Sequence, residues 1–189
     1  MEKPKLQLLA GPNGAGKSTF ARSNFPELVG TGRFLNADDI ARSLSPNDQA
    51  GASLRAARLA LQRRQRFLDG SVSFAMETTL ASRTLLLAVR HARRIGYRVE
   101  LTYLYISNPQ LCIQRIAQRV ALGGHHIPVD VVMRRYEQSL RLLPRYLEVV
   151  DVADVYLADG IPRPVLRKDG KGTHVRDRAI WKAIRAVSE

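Results

Sequence analysis

Short apolar runs alternate along the chain with longer stretches in which apolar residues recur every three or four positions, a rhythm that predicts strands alternating with helices. "KLQLLAG" at 5–11 reads as a buried strand ending on a glycine turn, and "KSTFARSNF" at 17–25 as the opening of a helix. "RFLNA" at 33–37 predicts a second strand, running into "DDIARSLS", where Asp38 or Asp39 is placed to cap a helix. Residues 50–69 carry Leu54, Leu59, Leu61 and Phe67 among arginines, which predicts a long amphipathic helix closed by Gly70. "SVSFAMETT" at 71–79 predicts a strand that brings Glu77 to its end, followed by a helix to Gly96.

"YRVELTYLYIS" at 97–107 is the strongest strand signal, rich in β-branched and aromatic residues. Asn108 then caps a helix with Pro109 at its first position, and Gly123 and Gly124 end it. Pro128 reopens a helix that Pro144, which has no amide hydrogen, is expected to kink or restart. "ADVYLAD" at 153–159 reads as the last strand, and 161–189 as a basic tail with a short helix around Trp181. The alternation implies an α/β fold, a mostly parallel sheet flanked by helices in three layers, with ligands at the carboxyl ends of the strands. Residues 1–160 form one predicted domain, including a helical lid at about 109–136.

Composition changes this picture little, except in charge. The 189 residues, 45% hydrophobic and 25% charged, suit one globular domain. Cys112 is the only cysteine, which excludes an intramolecular disulfide and fits a cytoplasmic location. The N-terminal apolar stretch is too short for a signal peptide, and no segment reaches the length of a membrane span. The formal net charge of +13 favours anionic partners: nucleotides, sugar phosphates, nucleic acid or an acidic protein. Arginine runs such as 63–66 also read simply as solvated surface.

The chemistry begins at "GPNGAGKST". Gly11, Pro12, Asn13, Gly14, Ala15, Gly16, Lys17 and Ser18 match G-x-x-x-x-G-K-[S/T] in full, between a predicted strand and a predicted helix. Backbone N–H groups of such a loop converge on phosphate oxygens at a helix N-terminus, and Thr19 continues the same turn. Lys17 would reach the β- and γ-phosphates and Ser18 would ligate Mg²⁺, so ATP and Mg²⁺ are the expected cofactors.

A phosphate loop leaves the fate of the γ-phosphoryl group open, and the acids must decide it. Asp38 and Asp39 follow one strand while Glu77 and Thr78 end another, all on the ligand edge. One of the two aspartates would be a base for an attacking hydroxyl and the other a cap, against the reading in which both cap or are solvated. Glu77 would contact the acceptor or a water on Mg²⁺, against the reading of a surface acid. Between 114 and 136, Arg115, Arg119, Arg134 and Arg135 lie on two helices joined by a glycine-hinged turn, as a closing lid requires. The adjacent His125 and His126, with no thiolate pair, make a poor zinc site and fit a hinge or substrate contact instead.

The ordered set "GPNGAGKST", "LNADDIA", "METTLAS" and "GGHHIPVDVVMRRYEQSLRLLPRYLEVVDVADVYLAD" resembles the zeta-toxin-like P-loop kinases over roughly residues 5–160. The resemblance implies an adenylate-kinase-like fold that transfers the ATP γ-phosphate to a hydroxyl of a nucleotide sugar, typically UDP-N-acetylglucosamine, with an antitoxin protein as a candidate partner. Carried over by motif, Asp38 is the catalytic aspartate, Lys17 and Ser18 take the ATP and Mg²⁺ positions, and Glu77 is the substrate-site acid. Arg119 and Arg135 correspond to phosphate-stabilising arginines, with Asp39, Thr78 and His125 as further substrate contacts. A competing reading takes the chain as a nucleic-acid-binding or polynucleotide-end-phosphorylating protein, motivated by its charge.

Overall fold

A computed structural model describes residues 2–26, 28, 31–45, 48–124 and 126–188. Its elements run in the order β1 (Lys5–Ala10), α1 (Lys17–Asn24), β2 (Phe34–Leu35), α2 (Ala37–Leu44), α3 (Gln49–Asp69), β3 (Phe74–Thr78), α4 (Arg83–Arg94), β4 (Arg98–Tyr105), α5 (Pro109–Ala121), α6 (Val129–Val149), β5 (Val152–Leu157), β6 (Arg163–Asp169), β7 (Gly172–Val175) and α7 (Arg178–Ser188). The strands form one seven-stranded sheet in the order β2-β3-β1-β4-β5-β6-β7. The first five are parallel and β6 and β7 are antiparallel, so the sheet is mostly parallel and flanked by helices. Ala10 pairs with both Thr78 and Tyr103, which brings the ends of β1, β3 and β4 to a common edge.

The core lies on both faces of the sheet: Leu6, Leu8, Val99, Leu101, Tyr103, Ala153 and Val155 are buried on one face, and Leu9 and Leu104 on the other. Helix α6 is fixed there by hydroxyls as well as by packing. Tyr103 and Ser139 share a 2.7 Å hydrogen bond, and the Tyr136 and Tyr146 hydroxyls donate to the carbonyls of Ile106 and Ser82, each at 2.7 Å. Burial drives all three phenols well above their ordinary pKa, so they remain neutral.

Four expectations from the pattern are corrected. The long helix α3 leaves Leu54 and Leu61 exposed, whereas Ala52 and Ala56 pack on Ile40 and Ala41 of α2 with Leu59 beside them, and Phe67 and the buried Leu68 reach the main core. Small side chains let two helices approach closely, and that contact sets the phase. Helix α6 runs unbroken through Pro144. The proline leaves the Leu140 carbonyl without its helical donor, and the Ser188 hydroxyl lies 2.9 Å from that oxygen. Strand β5 is not the last, because residues of the expected tail form β6 and β7 on its outer side. Finally, neither Asp38 nor Asp39 caps α2. Asn36 does, its Oδ1 accepting from the N–H groups of Asp38 at 2.9 Å and Asp39 at 3.4 Å.

One lysine of β6 fastens the tail to the end of α6. Lys168 Nζ donates to the Leu147 carbonyl and, at 2.9 Å, to the Val150 carbonyl, closing the C-terminus of α6. The predicted end of α5 is as expected: the Gly124 N–H bonds back to Arg119 O at 2.9 Å and Gly123 N–H to Val120 O at 2.9 Å. Among the described residues no helix is long and apolar enough to cross a membrane.

Candidate functional site

Residues 11–16 connect β1 to α1 as a tight loop whose shape depends on missing side chains. Gly11 has φ +144°, and a Cβ there would stand 2.4 Å from the Leu104 carbonyl oxygen. Gly14 has φ +81°, and its Cβ would stand 2.7 Å from the Cys112 carbonyl oxygen, because α5 packs directly over the loop. Gly16 precedes α1 in the left-handed region and offers no side-chain cap. The first N–H groups of α1 therefore face the ligand edge, where anions are stabilised.

Lys17 is buried to 6% exposure, and its ammonium donates to the Pro12 carbonyl at 2.9 Å. Glu77 Oε1 lies 3.7 Å from the same nitrogen. Burial pushes the Lys17 pKa down, while the charges of Glu77 and Asp38 push it back up. The second Glu77 oxygen accepts from the Ser18 hydroxyl and from Asn36 Nδ2, each at 2.9 Å. One carboxylate thus ties the phosphate loop to the cap of α2, and Asp38 stands exposed in the first turn of that helix.

The remaining predicted residues divide. Arg135 of α6 donates to Asn13 Oδ1 of the loop at 3.4 Å. Arg119 of α5 is exposed, and its charge reaches Lys17, on which it acts to lower the pKa. Arg115 does not serve as a lid cation: its guanidinium donates to the carbonyls of Gly14 at 3.3 Å, Ala158 at 3.0 Å and Asp159 at 2.6 Å. It clamps α5 to the phosphate loop and to the end of β5. Arg134 is exposed on α6. Asp39 is ion-paired with Arg42 at 2.8 Å on the surface of α2. The Thr78 hydroxyl accepts from the Leu80 N–H at 3.0 Å, shaping a turn in which the fully buried Leu80 has φ +61°. A leucine in that region is strained by about 1–2 kcal/mol. His125 lies outside the described residues, and His126 is exposed.

Sequence reasoning missed Asn36 as the cap of α2 and the Arg115 clamp. Asn36 alone carried a readable signal, an asparagine followed by two acids at a helix start. Beside the loop, a cavity of about 540 Å³ is lined by Gly16, Thr19, Phe20, Arg115, Tyr156 and Pro162, among others.

Mg²⁺ takes hard oxygen donors and keeps most of its ligands as water and phosphate. The Ser18 hydroxyl and Glu77 carboxylate, 2.9 Å apart beside the loop, are a donor pair of that kind. Among the described residues no three His, Cys, Asp or Glu side chains converge as a metal cage, and a magnesium nucleotide needs none.

A family model described as Zeta toxin matches residues 1–171. An uncharacterized protein from Haemophilus influenzae is 31% identical over 132 residues, covering 70% of this chain and 92% of that protein. Among solved structures, a chain of the AvrRxo1-ORF1:AvrRxo1-ORF2 complex with sulphate ions aligns with a TM-score of 0.79 at 16% identity. The alignment covers 99% of this chain and 65% of that one, so this chain spans slightly under two thirds of that relative's length. A chain from the PezAT chromosomal toxin-antitoxin system of Streptococcus pneumoniae aligns with a TM-score of 0.67 at 16% identity, covering 97% of this chain and 78% of that one. The fold is that of the P-loop kinases, and on the extent of the family match the chain belongs to the zeta toxin family.

Proposed function

We propose that this protein is an ATP- and Mg²⁺-dependent kinase that transfers the γ-phosphoryl group to a hydroxyl of a small phosphorylated acceptor, a nucleotide sugar such as UDP-N-acetylglucosamine. The observation that carries the reading is the bridge made by Glu77, which joins Lys17 and Ser18 to the Asn36 cap and so sets Asp38 beside the phosphate loop. The loop amides and Lys17 hold the phosphates, and Ser18 with Glu77 would hold Mg²⁺, whose charge would stabilise that building up on the phosphoryl oxygens. Asp38 accepts the hydroxyl proton as the acceptor oxygen attacks phosphorus. Arg119 and Arg135 neutralise the phosphoryl charge from the α5–α6 side, while Asp39, Thr78 and His125 contact the acceptor. The nucleoside occupies the cavity that Phe20 and Tyr156 line.

A related chain has been crystallised within AvrRxo1-ORF1:-ORF2 with ATP, which supports the choice of nucleotide. The PezAT system is a toxin-antitoxin pair, and an antitoxin-like protein is the proposed partner, in a cytoplasmic setting. The test is phosphorus NMR of the protein with ATP, Mg²⁺ and UDP-N-acetylglucosamine. A new sugar-phosphate resonance is expected, and Asp38→Asn should retain ATP affinity while turnover falls by about 10²–10⁴-fold. Undiminished turnover in the variant would remove Asp38 as the base, and unchanged ATP with wild-type protein would remove this acceptor.

A further inference from the structure

We infer that the face formed by β7 and α7 is a binding surface for single-stranded nucleic acid, separate from the kinase cleft. Helix α7 has two distinct sides. Ile184 is fully buried and Ser188 reaches α6, so one side is committed to the domain. On the other, Arg178, Lys182 and Arg185 fall at i, i+4 and i+7, and Trp181 at i+3 stands at the border between the two sides, part of its indole packed on the core. With Thr173 and Val175 of β7 they line a cleft of about 610 Å³. Arg178 and Lys182 are exposed and Trp181 is half-buried, which leaves part of the indole open between cations.

The charge there is one-sided. Residues 161–189 hold eight Lys and Arg against Asp169, Asp177 and Glu189. Two of those acids are turned to the backbone: Asp169 accepts from the Lys171 N–H at 2.8 Å, and Asp177 from the Ile180 N–H at 3.0 Å at the start of α7. The basic groups Arg167 and Lys168 are likewise engaged, on Asp154 and on the end of α6, while Arg178 and Lys182 stand exposed at the cleft. Strand β7 is last in the sheet, four strands from β1. At about 4.8 Å per strand the cleft lies roughly 19 Å across the sheet from the phosphate loop's strand.

Cations flanking an aromatic face hold phosphates and stack a base at once, which is how sequence-tolerant single-strand sites are built. A purely acidic peptide such as poly-glutamate would satisfy the cations and offer no ring to stack on the indole. The tail holds a single tryptophan among its basic residues, and the helical spacing of α7 brings Arg178 and Lys182 to either side of it.

Trp181 is the only tryptophan in the protein, so its fluorescence reports on this cleft alone. Titration of the full chain with 12-mer oligo-uridine and 12-mer oligo-thymidine should quench it. With Arg178 and Lys182 on phosphate, affinity should fall about 7-fold between 50 and 200 mM salt. Preference for one oligomer assigns RNA or DNA as the ligand. The Arg178→Gln, Lys182→Gln double variant should bind at least about tenfold more weakly, with its melting temperature and ATP binding unchanged. Trp181→Phe, followed by anisotropy of labelled oligomer, should keep most of the affinity by preserving a stacking face. The proposal is overturned by unchanged tryptophan emission, by wild-type binding in the double variant, or by poly-glutamate giving the same titration curve as the oligonucleotides. None of these readouts depends on phosphoryl transfer, so the kinase reading stands or falls separately.

Discussion

Lys17 carries the sharpest conflict in the molecule: an ammonium at 6% exposure, held by one carbonyl and a carboxylate at 3.7 Å. Its lowered pKa means that folding costs stability while the amine is charged. Lys17→Met should therefore bind ATP about 10- to 100-fold more weakly and yet melt at a higher temperature than the wild type at neutral pH. The sign follows from proton counts. Between the lowered folded pKa and the free lysine value of 10.5 the unfolded chain holds more protons, so wild-type stability gains as pH rises and the difference from the variant narrows. Calorimetric melts at pH 7 and pH 9.5 would test this, and a variant that melts lower at pH 7 would refute it. The loop itself was legible because G-x-x-x-x-G-K-[S/T] specifies backbone geometry locally. Arg115 was not, because its partners Gly14, Ala158 and Asp159 lie far away in sequence and are main-chain oxygens, which no residue pattern announces.

At the scale of elements, the β–α alternation was readable because both periods are written into the apolar residues. The phase of α3 was only partly readable, since Ala52 and Ala56 took buried positions while Leu54 and Leu61 turned outward. Strands β6 and β7 were hidden by charge: β6 reads RPVLRKD, and only Val165 and Leu166 of it are fully buried. Helix α6 shows how one element completes another. With Pro144 providing no N–H for the Leu140 carbonyl, the Ser188 hydroxyl is the group beside it. Ser188→Ala should cost about 1 kcal/mol, or about 2–4 °C in a chain of this size. Reversion by Pro144→Ala, which restores the helical donor, would make the serine dispensable. A double variant no more stable than Ser188→Ala alone would contradict this account.

For the whole molecule, residues 161–189 supply two of the sheet's seven strands and are not an appendage. Val155 pairs with Leu166 and Ala153 with Lys168, and both inner residues are fully buried. Truncation after Gly160 should abolish cooperative thermal unfolding, read by near-ultraviolet circular dichroism, and a sharp transition in the shortened chain would show that the first five strands suffice. The Ser188–Leu140 contact also sets an order of events. During synthesis the phosphate loop emerges early, and α6 follows with its carbonyl at Leu140 facing water. The contact spans 48 residues, so the ribosome must add that much more chain before this helix receives its closing partner. A translational pause anywhere in that interval would hold the domain with its nucleotide loop made and its rear helix unsealed, the stage at which a chaperone or protease would find it.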